Sequence, residues 1–233
     1  KGVAGIPYVF AELLPCCGMA YTAGTQTFAN SSDQTGWKTA SASHYIDGRR
    51  YRARGLMGSW RMTWAAGAKV AVDWRLIGGF EADPDATALL SGMAYDSTKP
   101  PLFAATGSLS IAGAAFPVRQ CVVDQGNELV LREDANSTGG YLSGWIQDRR
   151  SVITLDPEAK AFAIKNWSAA HSAGDEIDLV LTLGSVAHNK IILTANNCQL
   201  TEDPELADAG GKAVDNLQLM VTGDDLTVEF VDT

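Results

Sequence analysis

The stretch FPVRQCVVDQGNELVLRED, residues 116–134, holds two runs of Val, Leu and Cys interleaved with Arg, Gln and Glu, separated by Asp-Gln-Gly-Asn. Branched and aliphatic side chains at every second position suit a pleated surface with one face buried. A Gly-Asn pair between two such runs favours a tight turn, because both residues tolerate positive φ. The expectation is a strand, a hairpin turn and a second strand over residues 118–132, with no catalytic group in it.

The same period of two recurs elsewhere. In KVAVDWRLI, Val70, Val72, Trp74 and Leu76 share one face while Lys69, Asp73 and Arg75 share the other. EIDLVLTL sets Ile177, Leu179, Leu181 and Leu183 against Glu176, Asp178 and Thr182, and LTVEF aligns Leu226, Val228 and Phe230. Turn signals fall between these runs at Asp47-Gly48, Ala66-Gly67, Gly126-Asn127, His188-Asn189 and Gly223-Asp224. The chain therefore reads as mainly β, two antiparallel sheets packed as a sandwich or partial barrel.

Two helices interrupt the strands. A short one opens at Pro7 and runs through YVFAELL, since proline suits the first turn of a helix. A second is expected from Asp156 as cap and Pro157 as first residue to a stop at Gly174, flanking the sheets. Residues 81–106 lack periodicity and contain three prolines, so they read as a long loop that touches a neighbouring subunit.

At 233 residues and 46% hydrophobic, one domain spanning 1–233 can bury its own core. The net charge of −9, from 27 acids against 18 bases, argues against tight binding to a phosphate backbone, which needs clustered cations. Apolar runs fall far short of the ~20 residues that span a bilayer, so a soluble protein is expected. Cys16, Cys17, Cys121 and Cys198 show neither zinc-site nor disulfide-framework spacing and read as free thiols of a reducing compartment.

No catalytic constellation stands out. His44, His171 and His188 are scattered, with no ligand spacing between them, and the glycine-rich stretches lack a phosphate-cradling pattern. The acid pairs Glu133-Asp134, Asp224-Asp225 and Glu202-Asp203 read as solvated turns rather than as the separated carboxylates of glycoside hydrolysis. No catalytic residue, metal site or cofactor is expected. Most of the six tryptophans lie on apolar faces, leaving Trp37 and Trp145 as the two that could stack on a sugar in a carbohydrate-binding sandwich.

Three segments in order, HYIDGRRYRARGLMGSWRMTWAAGAKVAVDWRLIGGF, VVDQGNELVLREDANSTGGYLSGWIQDRRSVITLDPEA and LTLGSVAHNKIILTANNCQL, resemble the major tail tube protein of long-tailed, siphovirus-like bacteriophages. The resemblance rests on Gly78-Gly79-Phe80, the Asp-x-Gly-Asn turn with Arg132-Glu133-Asp134, Asp148-Arg149 leading to Asp156-Pro157-Glu158, and Leu183-Gly184. It implies a β-sandwich whose copies form hexameric rings stacked into a hollow tube in the virion tail. Such a tube is assembled in the host cytoplasm with tape measure, terminator and distal tail proteins. It would carry double-stranded DNA as cargo, without a membrane, and an acidic wall would repel phosphate instead of trapping it. Asp124, Glu128, Arg132, Glu133 and Asp134 are the candidates for the lumen wall or ring contact. A tail terminator, a distal tail protein or the tube of a contractile system would share this general fold.

Overall fold

In the computed structural model, which describes residues 6–86, 107–185 and 190–231, the period-two stretches become antiparallel strands. After helix α1 (Tyr8–Cys16) come β1 (Met19–Thr22), β2 (Thr27–Asn30) and β3 (Ala40–Ile46). β3 turns at Asp47-Gly48, both at positive φ, into β4 (Arg49–Ala65), which returns as β5 (Ala71–Ala86). The middle of the chain forms β6 (Gly107–Ile111), β7 (Ala114–Ala115), β8 (Val118–Asp124), β9 (Asn127–Glu133), β10 (Tyr141–Arg149) and β11 (Val152–Pro157). Helix α2 (Trp167–Ala173) precedes β12 (Ile177–Leu183), β13 (Lys190–Leu200), β14 (Glu205–Asp208), β15 (Ala213–Val221) and β16 (Leu226–Val231).

The larger sheet runs in the order β1-β2-β16-β13-β15-β11-β8-β4-β3, with the other strands paired along it, and β9 with β10 forms a second, two-stranded sheet. Trp60, Met62 and Trp64 of β4 share one core with Phe28 of β2 and Phe230 of β16, so the large sheet curls over on itself. Phe10 of α1 lies with its ring 5.7 Å from Trp74 of β5 and 5.2 Å from Phe230, placing the helix across the open side. This is the expected mainly-β sandwich with two helices; no closed barrel forms among the described residues.

Three expectations are corrected. The strands of the opening stretch form, but they do not pair as a hairpin. β8 pairs with β4 and β11 in the large sheet, whereas β9 pairs with β10 in the small one. Residues 118–133 are therefore one arm of a long ribbon and residues 141–157 the other, both bent at a corner where each arm changes sheet. Gly126, at φ +68°, makes the bend, and the N–H of Arg150 donates to its carbonyl at 3.0 Å. A Cβ at Gly126 would run into the Arg150 carbonyl oxygen, so glycine is required by the close approach as well as by the backbone angle.

The second helix starts later than expected. Asp156 does not cap it: Asp156 Oδ1 accepts the N–H groups of Arg119 and Gln120 at 3.1 and 2.7 Å, and its Oδ2 meets Arg119 Nε at 2.9 Å. Pairing with β8 extends β11 to Pro157, a strand-end position where proline's missing N–H costs little. α2 opens instead at Asn166, whose Oδ1 accepts the N–H of Ala169 at 3.0 Å, and it stops at Gly174 as expected.

Residues 81–86 belong to β5 rather than to a loop. They pair with the start of β4 through Arg49↔Ala86 and Arg52↔Ala82, and Asp83-Pro84 falls in a register irregularity that accommodates the proline. Residues 87–106 of the expected loop, with His188 and its turn, lie outside the described residues.

Candidate functional site

The ribbon's corner is pinned by polar side chains in the protein's interior. Gln125 is fully buried, and its Nε2 donates to the Cys17 carbonyl at 2.9 Å and to Asn30 Oδ1 at 3.1 Å. Asn127 Nδ2 donates to the carbonyls of Gly58 and Cys17 at 2.7 and 2.9 Å. Ser151 Oγ donates to the Gln125 carbonyl at 2.8 Å and accepts from Asn30 Nδ2 at 3.2 Å. Each group closes another's demand, as a buried polar cluster must if it is not to cost stability.

Arg149 extends this network to the surface. Its Nε donates to Asn127 Oδ1 at 2.8 Å, its Nη2 to the Gly18 carbonyl at 2.9 Å, and its Nη1 lies 3.3 Å from Asp224 Oδ1. Burial pulls its pKa down from the ordinary guanidinium value, and Asp224 opposes the shift. Asp224 also accepts from the backbone N–H and hydroxyl of Ser32. One arginine thus ties the end of β10, the α1–β1 junction and the β15–β16 turn together.

Beyond the corner, the β9–β10 sheet lies flat on the β4–β5 hairpin because glycines allow it. A Cβ on Gly144 would strike the Ile77 carbonyl oxygen, and one on Gly55 would sit 2.7 Å from Ser143 Cβ. Gly144 pairs with Leu131, so 129 and 131 belong to the body side and Glu128, Val130 and Arg132 to the outward side. Trp145, opposite Val130, and Asp148, opposite Glu128, share that outward face. Val130, Arg132 and Trp145 line a shallow depression there.

The five candidates therefore separate. Glu128 and Arg132 are exposed on the outward face, and Glu133 is exposed at the end of β9 opposite Tyr141. Asp124 serves the corner, accepting the N–H of Gly126 at 2.9 Å. Asp134 serves the tip, accepting the N–H of Asn136 and the hydroxyl of Ser137, both at 2.9 Å; these bonds hold its carboxyl below the usual range. Sequence reading missed the interior cluster; its signal was the polar pair Gln125 and Asn127 between two apolar runs. It missed as well the exposed apolar group of Phe162, Ile164 and Leu206.

The Asp224-Asp225 pair is accounted for locally: Asp224 as above, and Asp225 by accepting from Asn197 Nδ2 at 2.8 Å. No group of three His, Cys, Asp or Glu side chains converges to hold a metal among the described residues. No helix of the described residues is long and apolar enough to cross a membrane. Trp60, Trp64 and Trp167 are in the core, while Trp37 and Trp145 are half-buried and lean on each other with centroids 5.7 Å apart. Trp37 Nε1 is already committed to the Ser31 carbonyl at 2.9 Å.

Residues 11–230 match the family described as phage tail tube protein, a span that includes the corner, the second part of α1 and both sheets but for the last residue of β16. The chain belongs to the phage tail tube protein family. A search of the curated proteins found no match. Family membership makes the chain a structural component of a phage tail, and the strand edges and apolar surfaces left open on the single subunit are the places where a tube protein would meet its neighbours. Among these, the far end of the β3–β4–β5 arm stands out. β4 has 17 residues, roughly 55 Å of strand, and Ile46, Tyr51 and Phe80 along the arm are each more than two-fifths exposed.

Proposed function

We propose that the protein forms hexameric rings that stack into the tail tube of a long-tailed, siphovirus-like phage, and that the tube conducts double-stranded genomic DNA during ejection. The observation that carries the reading is the family match over residues 11–230. The net charge of −9 supports it, since a conduit for a polyanion works best when its wall does not bind the cargo. The arm and residues 81–106 reach a neighbouring subunit, and Glu128, Arg132 and Glu133 belong to the ring contact or the wall. The tube is built in the host cytoplasm and meets tape measure, terminator and distal tail proteins at its ends. The reading assigns the protein no enzymatic activity.

Negative-stain imaging of the purified chain, with sedimentation at rising concentration, tests this. Tubes built of six-fold rings support it. A ring that never extends would indicate a terminator or distal tail role, and a stable monomer at every concentration would overturn it.

A further inference from the structure

Among the described residues the three most exposed large apolar side chains are Phe162 at 76%, Ile164 at 71% and Leu206 at 70%, the first two only two positions apart in one segment. Phe162 and Leu206 line a single cavity of about 290 Å³ together with Lys160, Lys165 and Asp215, whose carboxylate is hydrogen-bonded to Trp167. The segment that presents them is held in shape. The N–H of Ala159 donates to the Ala213 carbonyl at 2.9 Å, that of Ile164 to the Ala161 carbonyl at 2.8 Å, and Lys165 Nζ lies 4.5 Å over the Trp167 ring. An apolar group displayed on a fixed frame and edged by two lysines against one aspartate suits a counterpart with an excess of acid.

The outward face of the β9–β10 sheet supplies that counterpart. Glu128 and Asp148 stand opposite each other in register, a like-charge pair that destabilises an isolated sheet, and neither has a cation within 4 Å among the described residues. Beside them Val130 and Trp145 form the apolar part of the same face, which also carries Arg132. The two surfaces match in kind, apolar to apolar, with two acids and Arg132 on one against two lysines and Asp215 on the other, and they differ in identity, as a head-to-tail contact between copies requires.

We propose that the β9–β10 face of one subunit docks on the Phe162, Ile164 and Leu206 patch of a second copy, with Glu128 and Asp148 meeting Lys160 and Lys165. This rests on the assembly reading above and names which surfaces meet. The test is sedimentation of the full chain as wild type, as Lys160→Glu/Lys165→Glu, as Glu128→Lys/Asp148→Lys, and as the quadruple variant. Each double variant lowers the polymer fraction at least tenfold, and the quadruple variant restores it. Phe162→Ser, a change at an exposed position, weakens assembly in the same direction without altering any charge. If the wild type assembles and the variants assemble equally well, or the quadruple variant fails to recover, the pairing is wrong while the tube survives. If the wild type does not assemble at all, the tube reading itself falls.

Discussion

Gly126 carries two demands that no other residue type meets together, a positive φ and a Cβ position occupied by the Arg150 carbonyl. Gly126→Ala is expected to cost about 3 kcal/mol, combining left-handed strain with overpacking. Gly67 has a similar φ of +74° but open space around it, so Gly67→Ala should cost only about 1 kcal/mol. Urea midpoints of the two variants check the difference. The four thiols are all buried and unpaired, and burial raises their pKa, to about 11 for Cys16 and about 12 for Cys121 and Cys198. They should resist an alkylating reagent at pH 8 and all react once the protein is unfolded, as mass spectrometry would show. Asp134 has a folded pKa below its unfolded one, so its hold on the tip is complete above the ordinary carboxylate range and is lost as pH falls through the lowered value. The Asn136 amide should lose protection in that acid window while the core amides keep theirs. At this scale the sequence was legible wherever a residue's role is local, as at Asp47-Gly48 or the Gly174 stop. Gln125 and Asn127 read as turn residues because their partners, Cys17, Asn30 and Gly58, lie 69 or more positions away.

Among the elements, alternation was a faithful guide to strands and a poor one to partners. β12 and β16 show the expected burial at every second residue. The stretch at residues 116–134 shows why pairing was harder: a Gly-Asn turn has the same local chemistry whether the chain folds back on itself or bends into another sheet. What settles it is the second arm, residues 141–157, which bends at the same level and leaves each half of the first arm paired with it. α2 was misplaced for a related reason, since Asp156-Pro157 is a good helix start until a neighbouring strand claims the carboxylate through Arg119 and Gln120. The glycine contact between sheets yields a prediction at this scale. Gly144→Val would force the β9–β10 sheet off the β4–β5 hairpin at a cost of about 3 kcal/mol. Hydrogen exchange should then quicken across β9 and β10, while β13 and β15 stay protected.

For the whole molecule, the curled sheet leaves surface that a lone subunit cannot cover: the arm, the outward β9–β10 face and the Phe162 patch. Charge constrains their use. The arm carries Arg49, Arg50, Arg52 and Arg54 within six residues of a chain whose net charge is −9. Arg52 is engaged within the arm by Glu81 at 3.8 Å, and the proposed conduit predicts that Arg49 lies against a neighbouring subunit rather than on the bore, in a contact that weakens as salt is raised. The most direct measurement is a cryo-EM reconstruction of the assembled protein. The account predicts a hollow tube of six-fold rings, open along its axis for a duplex, with Asp and Glu outnumbering Lys and Arg on the inner wall. A solid fibre, or a channel faced by the arginines of the arm, would contradict it.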